Sequence, residues 1–156
     1  MILYFRNRAL EKQNKELRKM KKRIVQVYVE KAEDGTYWGT TENVIGVVSA
    51  FGDSLSELKK ELQSVFKEHL EVARELDEDW ISNFENGVEF EYKMDLESFF
   101  DLIPEVKIGS IAKKANINAS LLRQYKTGKA NASEHQTKKI EQAVHELGKE
   151  LLSISF

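Results

Sequence analysis

Between Ile108 and Thr127 the chain reads IGSIAKKANINASLLRQYKT, an order of apolar, small and polar residues that fits a helix-turn-helix or a part of another small helical bundle. Ile111, Ala115, Ile117, Leu122 and Tyr125 are apolar or small at relative positions 1, 5, 7, 12 and 15, the spacing of a helix-turn-helix. Ala112 falls where two helices nearly touch, so only a small side chain fits. Asn116 falls at the tight turn, where a residue tolerant of positive φ is needed. The pattern predicts helices over 108–115 and 119–126, crossing at roughly 90–120°. Asn118 is expected at the second N-cap, and Gly128 is expected to end that helix. Ser133 can cap a third helix to about Leu147, with Ile140, Ala143, Val144 and Leu147 turned inward.

The second helix of such a pair is the one offered to a DNA groove. Its early, outward residues are Asn118, Ala119, Ser120, Arg123 and Gln124. Arg bonds guanine bidentately, Gln bonds adenine, and Ala touches a thymine methyl, so these are the candidate base readers. Ser110, Lys113, Lys126, Thr127 and Lys129 are candidates for phosphate contacts, which position a module without reading sequence.

Charge is segregated along the chain, although the net charge is only −2. Residues 1–23 carry 9 basic and 2 acidic side chains; residues 24–105 carry 6 and 20; residues 106–156 carry 9 and 4. The resulting nets are +7, −14 and +5. A basic C-terminal module is drawn to phosphates and an acidic one repelled by them. The acidic middle either meets a second, basic partner or simply solvates exposed helix and strand faces. Residues 1–22 are basic and weakly periodic, and Met20 precedes a strand-like KKRIVQVYV. They are expected to be a flexible tail or an extension upstream of a start at Met20; the alternative is a nucleic-acid-binding arm. Without cysteine there is no disulfide, thiolate zinc site or cysteine nucleophile. No apolar run approaches the roughly 18 residues of a spanning helix, and MILYF is too short for a signal segment. A cytoplasmic protein is expected.

In the middle, Val25, Val27 and Val29 alternate in a first strand over 23–31. Glu33-Asp34-Gly35 is a hairpin signal, followed by strands over 36–41 and 47–51. Ser54-Leu55-Ser56-Glu57 is a capping box for a helix expected to end near Leu76, its apolar face repeating Leu55, Leu58, Leu62, Val65/Phe66, His69 and Val72/Ala73. Val88, Phe90 and Tyr92 alternate with charged residues in a fourth strand. Asp95 can cap a short helix to Leu102, and Pro104 stops it. The fold expected is α+β, a small antiparallel sheet with one packed helix over 23–104, followed by an all-α domain over 105–156. The short helix at 96–102 can belong to either side.

Enzyme chemistry finds little support. Two-metal nuclease chemistry needs converging carboxylates. Here Glu30 ends its strand, Glu89 and Glu91 lie on an exposed strand face, and Asp77, Glu78 and Asp79 follow a helix end. His69, His135 and His145 stand alone, His69 at the edge of an apolar helix face, so no i,i+4 metal pair exists. No Gly-rich phosphate loop occurs. No catalytic residue, metal or cofactor is expected, and Trp38 and Trp80 are expected in a core or an interface.

The stretch IAKKANINASLLRQYKTGKANASEHQTKKIEQAV resembles the Cro/phage-repressor (Xre-type) helix-turn-helix family. Its Lys126-Thr127-Gly128-Lys129 is the exit that in that family lies against the DNA backbone. The family's usual turn glycine is Asn116 here. Residues 23–93, through YWGTTENVIGVVSAFGDSLSELKKEL, resemble a HicB antitoxin domain, with Ile45-Gly46 where members often carry Pro-Gly. The resemblance implies a partial ribonuclease-H-like fold without its activity, which neutralises a small basic, mRNA-cleaving HicA-like toxin. It also implies a homodimer or higher homo-oligomer that represses its own operon by binding double-stranded operator DNA. The alternative expectation is a solitary DNA-binding transcriptional regulator whose α+β domain serves oligomerisation or ligand sensing.

Overall fold

The computed structural model describes residues 21–156, so the expectations for residues 1–20 lie outside the described residues. The chain divides into two compact units, one through Lys93 and one from Met94. Together they make an α+β molecule with a four-stranded mixed sheet and several helices. Among the described residues no helix is long and apolar enough to cross a membrane.

The first unit begins with β1 (Arg23–Lys31), β2 (Tyr37–Thr41) and β3 (Ser49–Gly52), joined as an antiparallel meander. Register sets Val27 against Thr41, Val29 against Gly39, and Trp38 against both Glu30 and Phe51. The first hairpin closes on Gly35 at φ 89°, and the Asp34 carboxylate accepts from Thr36 N (3.0 Å) and Thr36 Oγ1 (2.7 Å). Those two bonds hold the Asp34 carboxyl below its ordinary range. Beyond the ladder, Asn43 stitches the chain to β1: Gln26 N donates to its Oδ1 (2.7 Å) and its Nδ2 donates to Ile24 O (3.0 Å).

Helix α1 (Leu55–Glu75) follows immediately. Glu57 N donates to Ser54 Oγ (3.2 Å), while the Glu57 carboxylate reaches back to Asp53 N (2.9 Å), one residue before the expected position. Leu58, Leu62, Phe66, Leu70 and Ala73 recur at helical spacing and are buried. They form a core with Val25, Val27 and Val29, each fully buried. The strand-to-helix corner is tight enough to exclude a side chain, since a Cβ on Gly52 would stand 2.6 Å from Leu58 N. Asp77, at φ 54°, turns the chain out of α1: Glu78 N donates to Ala73 O (3.0 Å) and Asp77 N to Arg74 O (3.2 Å).

Two features depart from expectation. Asp79–Phe84 forms a 3₁₀ helix where only an acidic run was foreseen. It is held by aromatic packing: Trp80 stacks on His69 (5.3 Å), and the buried Phe84 meets Phe66 edge-on (5.8 Å). The sheet is also mixed rather than antiparallel. β4 (Val88–Met94) lies beside β1 in the order β3-β2-β1-β4. Arg23 N donates to Gly87 O (2.9 Å) and Gln26 Nε2 to Glu91 Oε2 (3.3 Å), so both strands start at the same end and run parallel. A helix placed between β3 and β4 carries the chain back to the starting end, which a hairpin cannot do.

The second unit holds α2 (Leu96–Leu102), α3 (Ile108–Ala115), α4 (Ala119–Lys126) and α5 (Glu134–Leu152). Asp95 caps α2 by accepting from Ser98 N (2.7 Å). Phe100 is buried in one cluster with Ile111, Ala112, Leu122, Tyr125 and Ile140. The short helix therefore belongs with the helical unit, and the division falls at Met94, ahead of Pro104. This placement moves Asp95, Glu97, Asp101 and Glu105 into the second unit. Residues 94–156 then carry 9 basic and 8 acidic side chains, and residues 24–93 carry 6 and 16.

Candidate nucleic-acid interface

Helices α3 and α4 are short, and each end is fixed by local chemistry. Asn116 adopts φ 53°, ψ 50°, the left-handed conformation its place in the turn demanded. Ile117 N donates to Ala112 O (2.9 Å) and Asn116 N to Lys113 O (3.3 Å), a pair that satisfies the last carbonyls of α3. The side chain of Asn118 then caps α4 by accepting from Ser120 N (2.8 Å). At the far end Gly128, at φ 67°, repeats the closing pattern: Lys129 N donates to Gln124 O (3.0 Å) and Gly128 N to Tyr125 O (3.2 Å). Ala112 is 1 % exposed within the cluster that the helices share. Ile111, Ala115, Leu122 and Tyr125 are buried beside it, and Ile117 packs half-buried on the cluster.

With the apolar stripe of α4 turned inward, Ser120, Arg123 and Gln124 are left exposed on the opposite side. Asn118 is exposed too, but its Oδ1 is engaged as the cap, leaving its amide nitrogen to meet a ligand. Ala119 is half-buried against the core and presents only part of its methyl group. Among the phosphate candidates, Ser110, Lys113 and Lys129 are exposed and Lys126 is half-buried. Thr127 is exposed, with its hydroxyl donating to Arg123 O (3.1 Å). Ion pairs occupy Lys114 with Glu150 (2.6 Å) and Lys138 with Glu134 (2.6 Å). Within the described residues no ion pair holds Arg123, Lys113, Lys126 or Lys129. The outcome is an exposed helix edge with a cationic border and polar, hydrogen-bonding tips.

One residue near this edge was not foreseen. A carboxylate oxygen of Glu97, on α2, lies 3.2 Å from the point a Cβ on Gly128 would occupy. It puts a negative charge beside the exit of α4. The sequence held no signal for it, because which side of the boundary α2 belongs to is settled by packing.

Elsewhere, no three His, Asp or Glu side chains converge as a metal cage requires, among the described residues. His69 is half-buried, with Nε2 2.8 Å from Ile45 O; His135 and His145 are exposed on α5. Trp80 is half-buried on the 3₁₀ helix, whereas Trp38 is 40 % exposed on the sheet. No protein-family model matches the chain, and no curated protein or solved structure was found similar to it.

Proposed function

We propose that this protein is the antitoxin of a type II toxin–antitoxin pair. Its strand-and-helix unit neutralises a small basic, mRNA-cleaving toxin of the HicA kind, and its helical unit represses the operon by gripping operator DNA. The observation that carries the reading is the face of α4. Ser120, Arg123 and Gln124 stand free of the core, bordered by unpaired cations, on a helix capped by the Asn118 side chain at one end and closed by backbone bonds at Gly128 at the other. A rigid helix with Arg and Gln at its tip suits direct readout of base edges in a major groove. The strand order β-β-β-α-β of the first unit, with one helix covering one sheet face, supports the HicB-like half of the reading. One short recognition helix reads few base pairs, so the protein acts as a homodimer or larger assembly on a two-fold operator. The chemistry assigned to the chain is binding, without a catalytic residue or cofactor of its own.

Two measurements test it. Expressed alone, the product of the adjoining short reading frame should arrest growth, and co-expression of this chain should restore it. Purified protein should also protect a palindromic site upstream of its own gene from nuclease digestion. Protection without any toxic or binding neighbour would leave a solitary regulator. Absence of protection would remove the DNA-binding half.

A further inference from the structure

One face of the sheet is left uncovered by α1. Strand alternation sends Val25, Val27 and Val29 to the helix and Tyr28 and Glu30 to the other side. On that outer face Trp38 and Phe51, paired in register, bring their rings to 5.3 Å with a 32° tilt. Tyr28, opposite Thr40, lies diagonal to Trp38. All three aromatics are exposed: Tyr28 43 %, Trp38 40 % and Phe51 56 %. A contiguous aromatic patch of this kind marks an interaction site.

Its border is mainly acidic, with cations at Lys93 and, beside Ile24, Gln26 and Glu91, at Lys21, Lys22 and Arg23. The outward charged positions of the strands are Glu30, Glu89, Glu91 and Lys93, and the Lys93 ammonium is 4.0 Å from Glu42. Glu30 is the direct cross-strand neighbour of Trp38. A second copy of this face would press the same carboxylates together on bodies that carry 16 acidic against 9 basic side chains over 21–93. We infer that the Tyr28–Trp38–Phe51 face is the docking surface for the cationic partner, a small protein presenting an apolar patch ringed by Lys and Arg. This inference rests on the antitoxin reading and names the surface which that reading leaves open. Aromatic anchors supply the affinity, and the carboxylate border supplies orientation and encounter rate.

The experiment uses the full chain and the purified product of the adjoining short basic reading frame, titrated calorimetrically at low and high salt. The double variant W38A/F51A should weaken association by at least about tenfold. The charge variant E30K/E89K, confined to exposed positions, should weaken it at low salt and flatten its salt dependence. Circular dichroism and operator protection should match the parent protein in both. If the parent binds the product and neither variant alters that affinity beyond about twofold, the partner docks elsewhere, and the inference falls while the antitoxin reading stands. If the variants instead turn a dimer into a monomer in sedimentation without altering partner affinity, a second copy covers the face and the inference falls. If the parent does not bind the product at all, the antitoxin reading fails and takes this inference with it.

Discussion

Arg123 and Lys129 lie six residues apart in sequence, and the proposed function gives them different parts, Arg123 to read a base and Lys129 to hold a phosphate. Arg123 is exposed on α4 among the base-reading candidates, and replacing it with Ala should cost about 1–3 kcal/mol at one base pair and relax specificity there. Lys129 follows the left-handed Gly128, so Lys129→Ala should weaken all sequences alike and lower the salt slope by about 1. Quantitative gel shifts on cognate and scrambled duplexes separate the two; an unchanged preference in Arg123→Ala would displace α4 as the reading helix. Glu97 predicts the opposite sign. Its carboxylate stands by Gly128, so Glu97→Gln should tighten DNA binding a few-fold at low salt and lose that gain as salt screens the charge. Equal affinity at every ionic strength would mean that the phosphates pass elsewhere. Asn116 sits at φ 53°, a conformation that costs a β-carbon-bearing residue about 1–2 kcal/mol. Asn116→Ala should lower stability by about 1 kcal/mol in urea unfolding, and Asn116→Gly should be neutral or stabilising; a neutral Ala variant would deny the turn its strain.

At the scale of elements, the helix starts were legible because capping is local. Ser54, Asp95, Asn118 and Ser133 each accept from a backbone amide two or three residues on, as their sequence contexts indicated. Ser54→Ala should cost about 1 kcal/mol, and thermal unfolding should show it as a lowered midpoint for the sheet unit. An unaltered midpoint would mean that Glu57, which holds Asp53 N, suffices by itself. Strand existence was legible for a similar reason, since alternation needs no distant partner. Less could be read where a neighbour decides. The 3₁₀ helix at 79–84 forms because Trp80 finds His69 and Phe84 finds Phe66, contacts made across a helix end that no local pattern announces. Helix α5 runs to Leu152, past the expected Leu147, because Gly148 does not break it and Lys114 bonds Glu150 at 2.6 Å.

For the whole molecule, the consequential difference is where one unit ends. The proline and the change of charge both pointed to residue 104, yet Phe100 is 2 % exposed within the helical core. A fragment of residues 94–156 should therefore fold cooperatively and retain weak DNA binding. A fragment beginning at 105 should be less stable by about 3–5 kcal/mol, the scale of removing a buried Phe. Calorimetric midpoints of the two fragments decide the matter; equal values would return the boundary to Pro104. Recounting by these units also lowers the helical unit from +5 to a bare excess of one cation, so the proposed attraction to DNA rests on how charge is placed on the α4 edge.

What the amino-acid order determined unaided was everything set by neighbours within about one helical turn: caps, turns of positive φ, alternation, and the apolar stripe that leaves Ser120, Arg123 and Gln124 outside. Tertiary structure alone decided that β4 runs parallel to β1, that α2 joins the helical core, and that Tyr28, Trp38 and Phe51 share an uncovered face. Each of these depends on which distant segment buries a given surface, and burial is non-directional: an apolar residue announces that it needs cover without saying what will cover it.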